Sequence, residues 1–332
     1  MRLALVLVLV AAPALTSAPA HAGPSEVVNA HILPGTAAFA QASGTLAETA
    51  DADCRPNALR APWNATFDAW LGISHLAFGP IEADGRALAI AFWPDTRGLV
   101  QKTVNALIDD QDIAANDPEA FAQVSVAGRG LFALERLLYD PALASYTTQD
   151  YTCGLARAMA TDLARMGAGI DTEWREDHSQ RLLTAGAPGN DTYLSADEAA
   201  QTLYTALLTG LEFTADQRLG RPMGSADRPR PNRAETRRSG RSLRNVTLSL
   251  IALQDLAQTL ATAPTPRTNA AFALALKAAD RPDPVFADVT SVQGRLRVEA
   301  LQQRVHAIGD AIEQEIGPAL GVRAGFNSAD GD

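Results

Sequence analysis

Gly130-Leu131-Phe132-Ala133-Leu134-Glu135-Arg136-Leu137-Leu138-Tyr139 is the stretch on which the reading turns. Leu131, Leu134 and Leu138 fall at i, i+3 and i+7, so they share one helical stripe. Phe132, Glu135 and Tyr139 repeat that spacing on the neighbouring stripe. A short helix is expected here, opened by a glycine and ended by Asp140-Pro141. One carboxylate stands among apolar neighbours. Burying it costs free energy unless it is paired, protonated or bound to a cation. Arg129 or Arg136 offers a local partner; a cation or a distant partner is the alternative.

The same helical period recurs along the chain. Leu243, Val246, Leu250, Leu253, Ala257 and Leu260 alternate steps of three and four, as do Val298, Leu301, Val305, Ile308 and Ile312. Leu203, Leu207 and Leu211 mark a third stripe. Alternating strand patterns are scarce, Ala87 to Trp93 being the best candidate. The expected class is all-α, built from antiparallel helices that each bury one stripe. Asp53-Cys54-Arg55-Pro56 separates a first helix from a second that ends near His75. Asp117 is an expected N-cap, with Pro118 opening the helix that carries Glu135. A long helix is expected from about Asp150 to Leu183. The turn cluster Gly186 to Asn190 is the best internal boundary and divides the chain into residues 23–186 and 187–332.

Residues 1–22 read as a leader. Met1-Arg2 precedes an apolar run from Leu3 to Leu15, and Ala20-His21-Ala22 is a small-residue cleavage site, with cleavage expected after Ala22. The run is too short to span a bilayer comfortably, and no later stretch is long and apolar enough to do so. The chain is therefore expected to be exported. Cys54 and Cys153 are the only cysteines. In an oxidising compartment a disulfide between them is expected, two free or metal-binding thiols being the alternative. With 28 basic and 38 acidic residues the formal net charge is −10, which argues against a nucleic-acid partner.

Against that acidic balance, Gly220 to Arg244 holds eight arginines and only Asp227 and Glu235. Such a cluster either converges on an anion or forms a solvated loop paired with the acidic remainder. Arg238, Arg241 and Ser242 sit at the start of a strongly periodic helix, where backbone N–H groups favour anions. In Trp93-Pro94-Asp95-Thr96-Arg97, Asp95 is placed to cap the next helix, and Phe92 and Trp93 serve as core plugs or as a ligand platform. His31, His75, His178 and His306 follow the leader, none with Glu at i+3 or i+4, so no zinc-peptidase helix motif is present. His306, Asp310 and Glu313 form an ion-pair face or half a metal site. His75 is a buried, hydrogen-bonded histidine or an imidazole donor to the Glu135 region.

Gly130-Leu131-Phe132-Ala133-Leu134-Glu135 resembles the Gly-x-His-x-x-Glu motif of imelysin-like proteins, the M75 peptidase family, with Phe132 in the histidine's place. The resemblance continues through Phe78-Gly79-Pro80, Phe92-Trp93-Pro94-Asp95-Thr96-Arg97, Tyr151-Thr152-Cys153 and Arg238-Ser239-Gly240-Arg241-Ser242-Leu243. It covers roughly residues 25 to 320. These segments look like the branch often described as periplasmic lipoproteins, although no cysteine directly follows the leader here. The resemblance implies two packed helical bundles facing a shared cleft. It implies a role in periplasmic iron handling, with iron, another divalent metal or an anionic chelated-metal ligand bound, and an iron-transport protein as partner. Ser242 and Asn245 carry over from the second motif; Glu135 with His75 is the metal pair it suggests. Since Phe132 removes an imidazole, a non-catalytic binding protein is expected. An M75-type metallopeptidase or an interaction protein with an empty cleft is the alternative. Glu135, Arg241 and Ser242 are expected to approach one solvent-reachable pocket.

Overall fold

The structure, a computed structural model, describes residues 23–322, and most of the long helices among them fall into two groups. The expected leader, residues 1–22, lies outside the described residues. In the first group, helix Leu33–Ala52 packs along helix Tyr151–Glu173 and against helix Pro56–Leu71, and helix Gly130–Tyr139 is inserted among the latter two and Leu99–Asp109. In the second, helix Ser242–Leu260 packs on Ala196–Glu212 and Pro266–Ala279, and Val292–Glu315 closes the group against both of those neighbours. The Ser242–Leu260 helix also touches Pro56–Leu71, and the wide π-helical turns Val27–Ile32 lie against it. Among the described residues there is no strand beyond the isolated bridge Ser225–Arg228, so the fold is all-α.

The stripes read from the sequence are the buried ones. Val246, Leu250, Leu253, Ala257 and Leu260 form a buried seam along one face of their helix, and Val298, Leu301, Val305, Ile308 and Ile312 form another. The Gly130–Tyr139 helix departs from this pattern. Every residue from Gly130 to Leu138 is buried, so it is a central helix with no solvent face. Each leucine it buries supplies about 1.5–3 kcal/mol of gross hydrophobic stabilisation.

Two local expectations are corrected. Ala87 to Trp93 is not a strand: Gly85, in the left-handed region at φ 68°, starts a short helix at Arg86–Ile90, and the apolar run that follows is too brief to find a pairing edge. The Glu135 helix does not begin at Pro118. Asp117 caps a separate one-turn helix, Pro118–Phe121, accepting from the N–H groups of Glu119 and Ala120. The chain then turns, and the second helix starts at Gly130. Gly130 sits at φ 71°, and a Cβ there would stand 2.1 Å from the carbonyl oxygen of Ala89. Only glycine lets the two backbones approach so closely. The long helix after Asp150 runs as expected, Tyr151–Glu173 continuing through π-helical turns to Ser179–Leu183. Asp95 caps the Leu99–Asp109 helix, accepting from the N–H groups of Leu99 and Val100, both at 2.9 Å.

Cys54 and Cys153 are bonded, with Cα atoms 5.3 Å apart. The bridge ties the end of the first long helix to the first turn of Tyr151–Glu173.

Candidate functional site

Neither neighbouring arginine pairs with Glu135. Arg129 forms a buried ion pair with Asp162 at 2.8 Å and donates to the carbonyl of Ala122. Arg136 pairs with Asp140, one turn on, at 2.9 Å. Glu135 is 2 % exposed, and its Oε1 accepts instead from the backbone N–H and the hydroxyl of Ser239, at 3.0 and 2.7 Å. Burial pushes this carboxyl above its ordinary range; the Ser239 hydrogen bonds and the Arg238 guanidinium act in the opposite direction, and Glu235 adds to the upward push. The motif helix and the Arg-rich segment are thus joined.

Beside this junction lies a cavity of about 230 Å³ lined by Glu135 and by Arg136, Arg221, Arg233, Arg237 and Arg238. Asp140 pairs with both Arg136 and Arg238. Arg233 and Arg237 have no ion-pair partner among the described residues. The Nε groups of Arg136 and Arg221 are buried without a hydrogen-bond partner. Burial lowers the pKa of both guanidinium groups, reinforced by Arg238 at Arg136 and by Arg233 at Arg221. Buried donors without acceptors are costly, and converging guanidinium groups repel. An anion in this cavity would offset that repulsion.

Arg241 and Ser242 are elsewhere, which corrects the expected pocket. Arg241 is 2 % exposed and bound to Asp68 and to the side chains of Asn64 and Asn245. Ser242 donates to the carbonyl of Glu235. Asn245 donates to Glu235 and to Thr236, and Glu235 pairs with Arg218 at 2.9 Å. These residues form one largely buried polar network that joins the two helix groups, with Asp68 and Asn64 half-buried on Pro56–Leu71 and Arg241 on the approach to Ser242–Leu260. Ser239, two residues before Arg241, is the contact the sequence reading missed. Its signal was local, a serine before Gly240, which lies at φ 75° in a turn.

Phe132 and Trp93 line this cavity and also a second, largely apolar one of about 260 Å³. The two rings lie nearly parallel, centroids 6.5 Å apart, so they form the wall between the cavities. Phe67 meets Phe132 edge-on, and Arg241 and Arg221 sit over Phe67 and Trp93. Phe132 is therefore part of an aromatic partition. His75 lines the second cavity, not the first. Its Nε2 is 2.9 Å from Nε2 of His31, whose Nδ1 is 2.6 Å from the Asp255 carboxylate. Burial, with His31 and Arg218, drives the His75 pKa well below its ordinary value. Glu135 and His75 thus serve different cavities, and among the described residues no group of three or more His, Cys, Asp or Glu is placed to hold a metal ion. His306 lies 3.4 Å from Asp216, on the surface.

The chain is 22% identical over 283 residues to the iron-regulated protein A of Synechococcus elongatus, covering 79% of this chain and 74% of that one. Its fold is similar to an imelysin-like protein from Psychrobacter arcticum, at TM-score 0.75 and 23% identity, over 91% of this chain and 96% of the other. It is also similar to a putative iron-regulated protein A precursor from Parabacteroides distasonis, at TM-score 0.71 and 10% identity, over 87% and 92% of the two chains. The imelysin family, Peptidase_M75, matches residues 32–312, and the chain belongs to that family.

Proposed function

We propose that this protein is an exported, non-catalytic binding protein of iron handling, whose Arg-lined cavity takes an anionic ligand of the chelated-iron class. One observation carries the reading: five arginines line a cavity that holds Glu135, and two of them, Arg233 and Arg237, have no ion-pair partner among the described residues. A carboxylate-bearing metal chelate supplies acceptor oxygens in the planar geometry that guanidinium groups match. The iron component comes from the relative's description as iron-regulated. Phe132 in place of the motif histidine supports binding over peptide hydrolysis, which needs a metal-bound water and a base. The Cys54–Cys153 bridge supports an oxidising compartment such as the periplasm, and no described helix is long and apolar enough to cross a membrane. The ligand would lie between the halves 23–186 and 187–332, open to handover to an iron-transport partner.

Titration calorimetry with ferric citrate, iron-free citrate and inorganic phosphate tests the reading. Ferric citrate is expected to bind at one site per chain, with affinity falling as salt rises. Arg221→Gln and Arg237→Gln should each weaken it about fivefold or more, the loss of one charge-assisted contact. Absence of binding, or binding that neither substitution changes, would sink the proposal.

A further inference from the structure

Only one oxygen of the Glu135 carboxylate is served by the protein. Both Ser239 donors, the amide and the hydroxyl, go to Oε1. Oε2 accepts from no described residue, yet it is not cut off from solvent, and it opens on the cavity that Glu135 lines with Arg233 and Arg237. The arginines beside it in the fold are occupied: Arg136 and Arg238 both pair with Asp140. A nearly buried acceptor without a donor is costly. The cavity therefore lacks one hydrogen-bond donor as well as an anion.

The neighbours decide which donor suits the place. A metal cation or an ammonium group would meet five guanidinium groups of like charge in the same cavity. A neutral O–H meets no such repulsion. Arg233 and Arg237, which have no ion-pair partner among the described residues, favour carboxylate oxygens at the same time. We propose that Glu135 selects hydroxycarboxylates: the carboxylates of the bound anion meet Arg233 and Arg237, and a hydroxyl of the same molecule donates to Oε2 of Glu135. The inference rests on the anion reading given above and adds the chemical class of the chelator, a polycarboxylate that carries an alcohol. An analogue of equal charge without the hydroxyl strands Oε2 beneath the ligand and brings a carboxylate up to it unscreened. A site built to bond a hydroxyl rejects the molecule that lacks it for this reason.

The probes are iron-free citrate and tricarballylate, which has the same carboxylates and no hydroxyl. Both are titrated against the full chain by calorimetry at pH 8. Citrate is expected to bind about tenfold or more tightly than tricarballylate. Glu135→Gln tests the cause. Ser239 retains the amide oxygen, so the amide NH2 group faces the cavity and the acceptor is gone. The preference should fall to within about twofold, mainly through tighter binding of tricarballylate, because a repelling charge is removed as well. Arg237→Gln should weaken both ligands and leave their ratio unchanged. Circular dichroism and thermal unfolding check each variant. Malate against succinate repeats the comparison on the wild type, so the test stands even if Glu135→Gln does not fold. Equal affinities for citrate and tricarballylate, or a citrate preference that Glu135→Gln leaves intact, overturn the selection by Glu135 and leave the anion reading standing. Binding of neither probe overturns it too, and the ferric citrate titration then decides the anion reading separately.

Discussion

Glu135 and Ser239, 104 residues apart in the chain, are joined by two hydrogen bonds to a single carboxylate oxygen, from the Ser239 amide and from its hydroxyl. This contact satisfies an acid that its own helix leaves unpaired. It also fixes the turn bearing Arg237 and Arg238 over the cavity that Glu135 lines.

The raised pKa of Glu135 sets a pH dependence. A carboxyl whose folded pKa exceeds its unfolded one binds more protons when folded. Its contribution to stability is full below the unfolded pKa and is lost as pH rises through the folded pKa. Glu135→Gln removes that loss. Urea unfolding from pH 4 to 8 should show the variant gaining on the wild type with rising pH. Parallel profiles would show that Glu135 ionises as freely in the folded protein as in the unfolded chain.

Asp68 is the acid that holds the buried Arg241 guanidinium, and it reaches Arg244 as well. Removing one partner of a buried ion pair leaves an uncompensated charge, at a cost of about 3–5 kcal/mol. Because Asn64 and Asn245 continue to accept from Arg241, Asp68→Ala should sit at the lower end of that range. Arg241→Met with Asp68→Ala should recover part of the loss in a double-mutant cycle. Equal and additive losses would mean that the pair is not coupled.

Gly130→Ala meets both a left-handed backbone and the carbonyl oxygens of Ala89 and Ile90. Strain of this kind costs about 1–3 kcal/mol before any clash is counted, so the total should exceed about 3 kcal/mol. A large drop in thermal midpoint is expected, with the Trp63 environment altered because its indole N–H donates to Leu131. A midpoint within a few degrees of wild type would contradict the close approach.

The Cys54–Cys153 bridge closes a loop with a sequence separation of 99. In the chain-entropy account such a loop contributes about 4–5 kcal/mol by restricting the unfolded state. Thiol titration of denatured, unreduced protein should find no free thiol, and the paired Cys→Ser variant should unfold at much lower denaturant. Two titratable thiols per chain would refute the bond.

Helix periodicity is a local property, and it was legible. The stripes Val246 to Leu260 and Val298 to Ile312 could be read as buried because a 3.6-residue repeat of apolar side chains has one low-energy use in water. The Asp95 and Asp117 caps were legible for the same reason, since a cap and its amides lie within a few residues. Cysteine pairing followed from there being two. Which distant groups meet was not legible. Glu135 had Arg129 and Arg136 at hand, but tertiary packing gave those to Asp162 and Asp140 and brought Ser239 instead. Arg241 and Ser242 look like the start of an anion site, and packing committed them to Asp68 and Glu235. The cavities on either side of Phe132 and Trp93 draw their lining from both helix groups, so they exist only once the two groups close on each other. Local sequence dictates the period and ends of each helix. Side-chain charges find their lowest energy only among neighbours that the whole fold supplies, and that choice belongs to the tertiary structure.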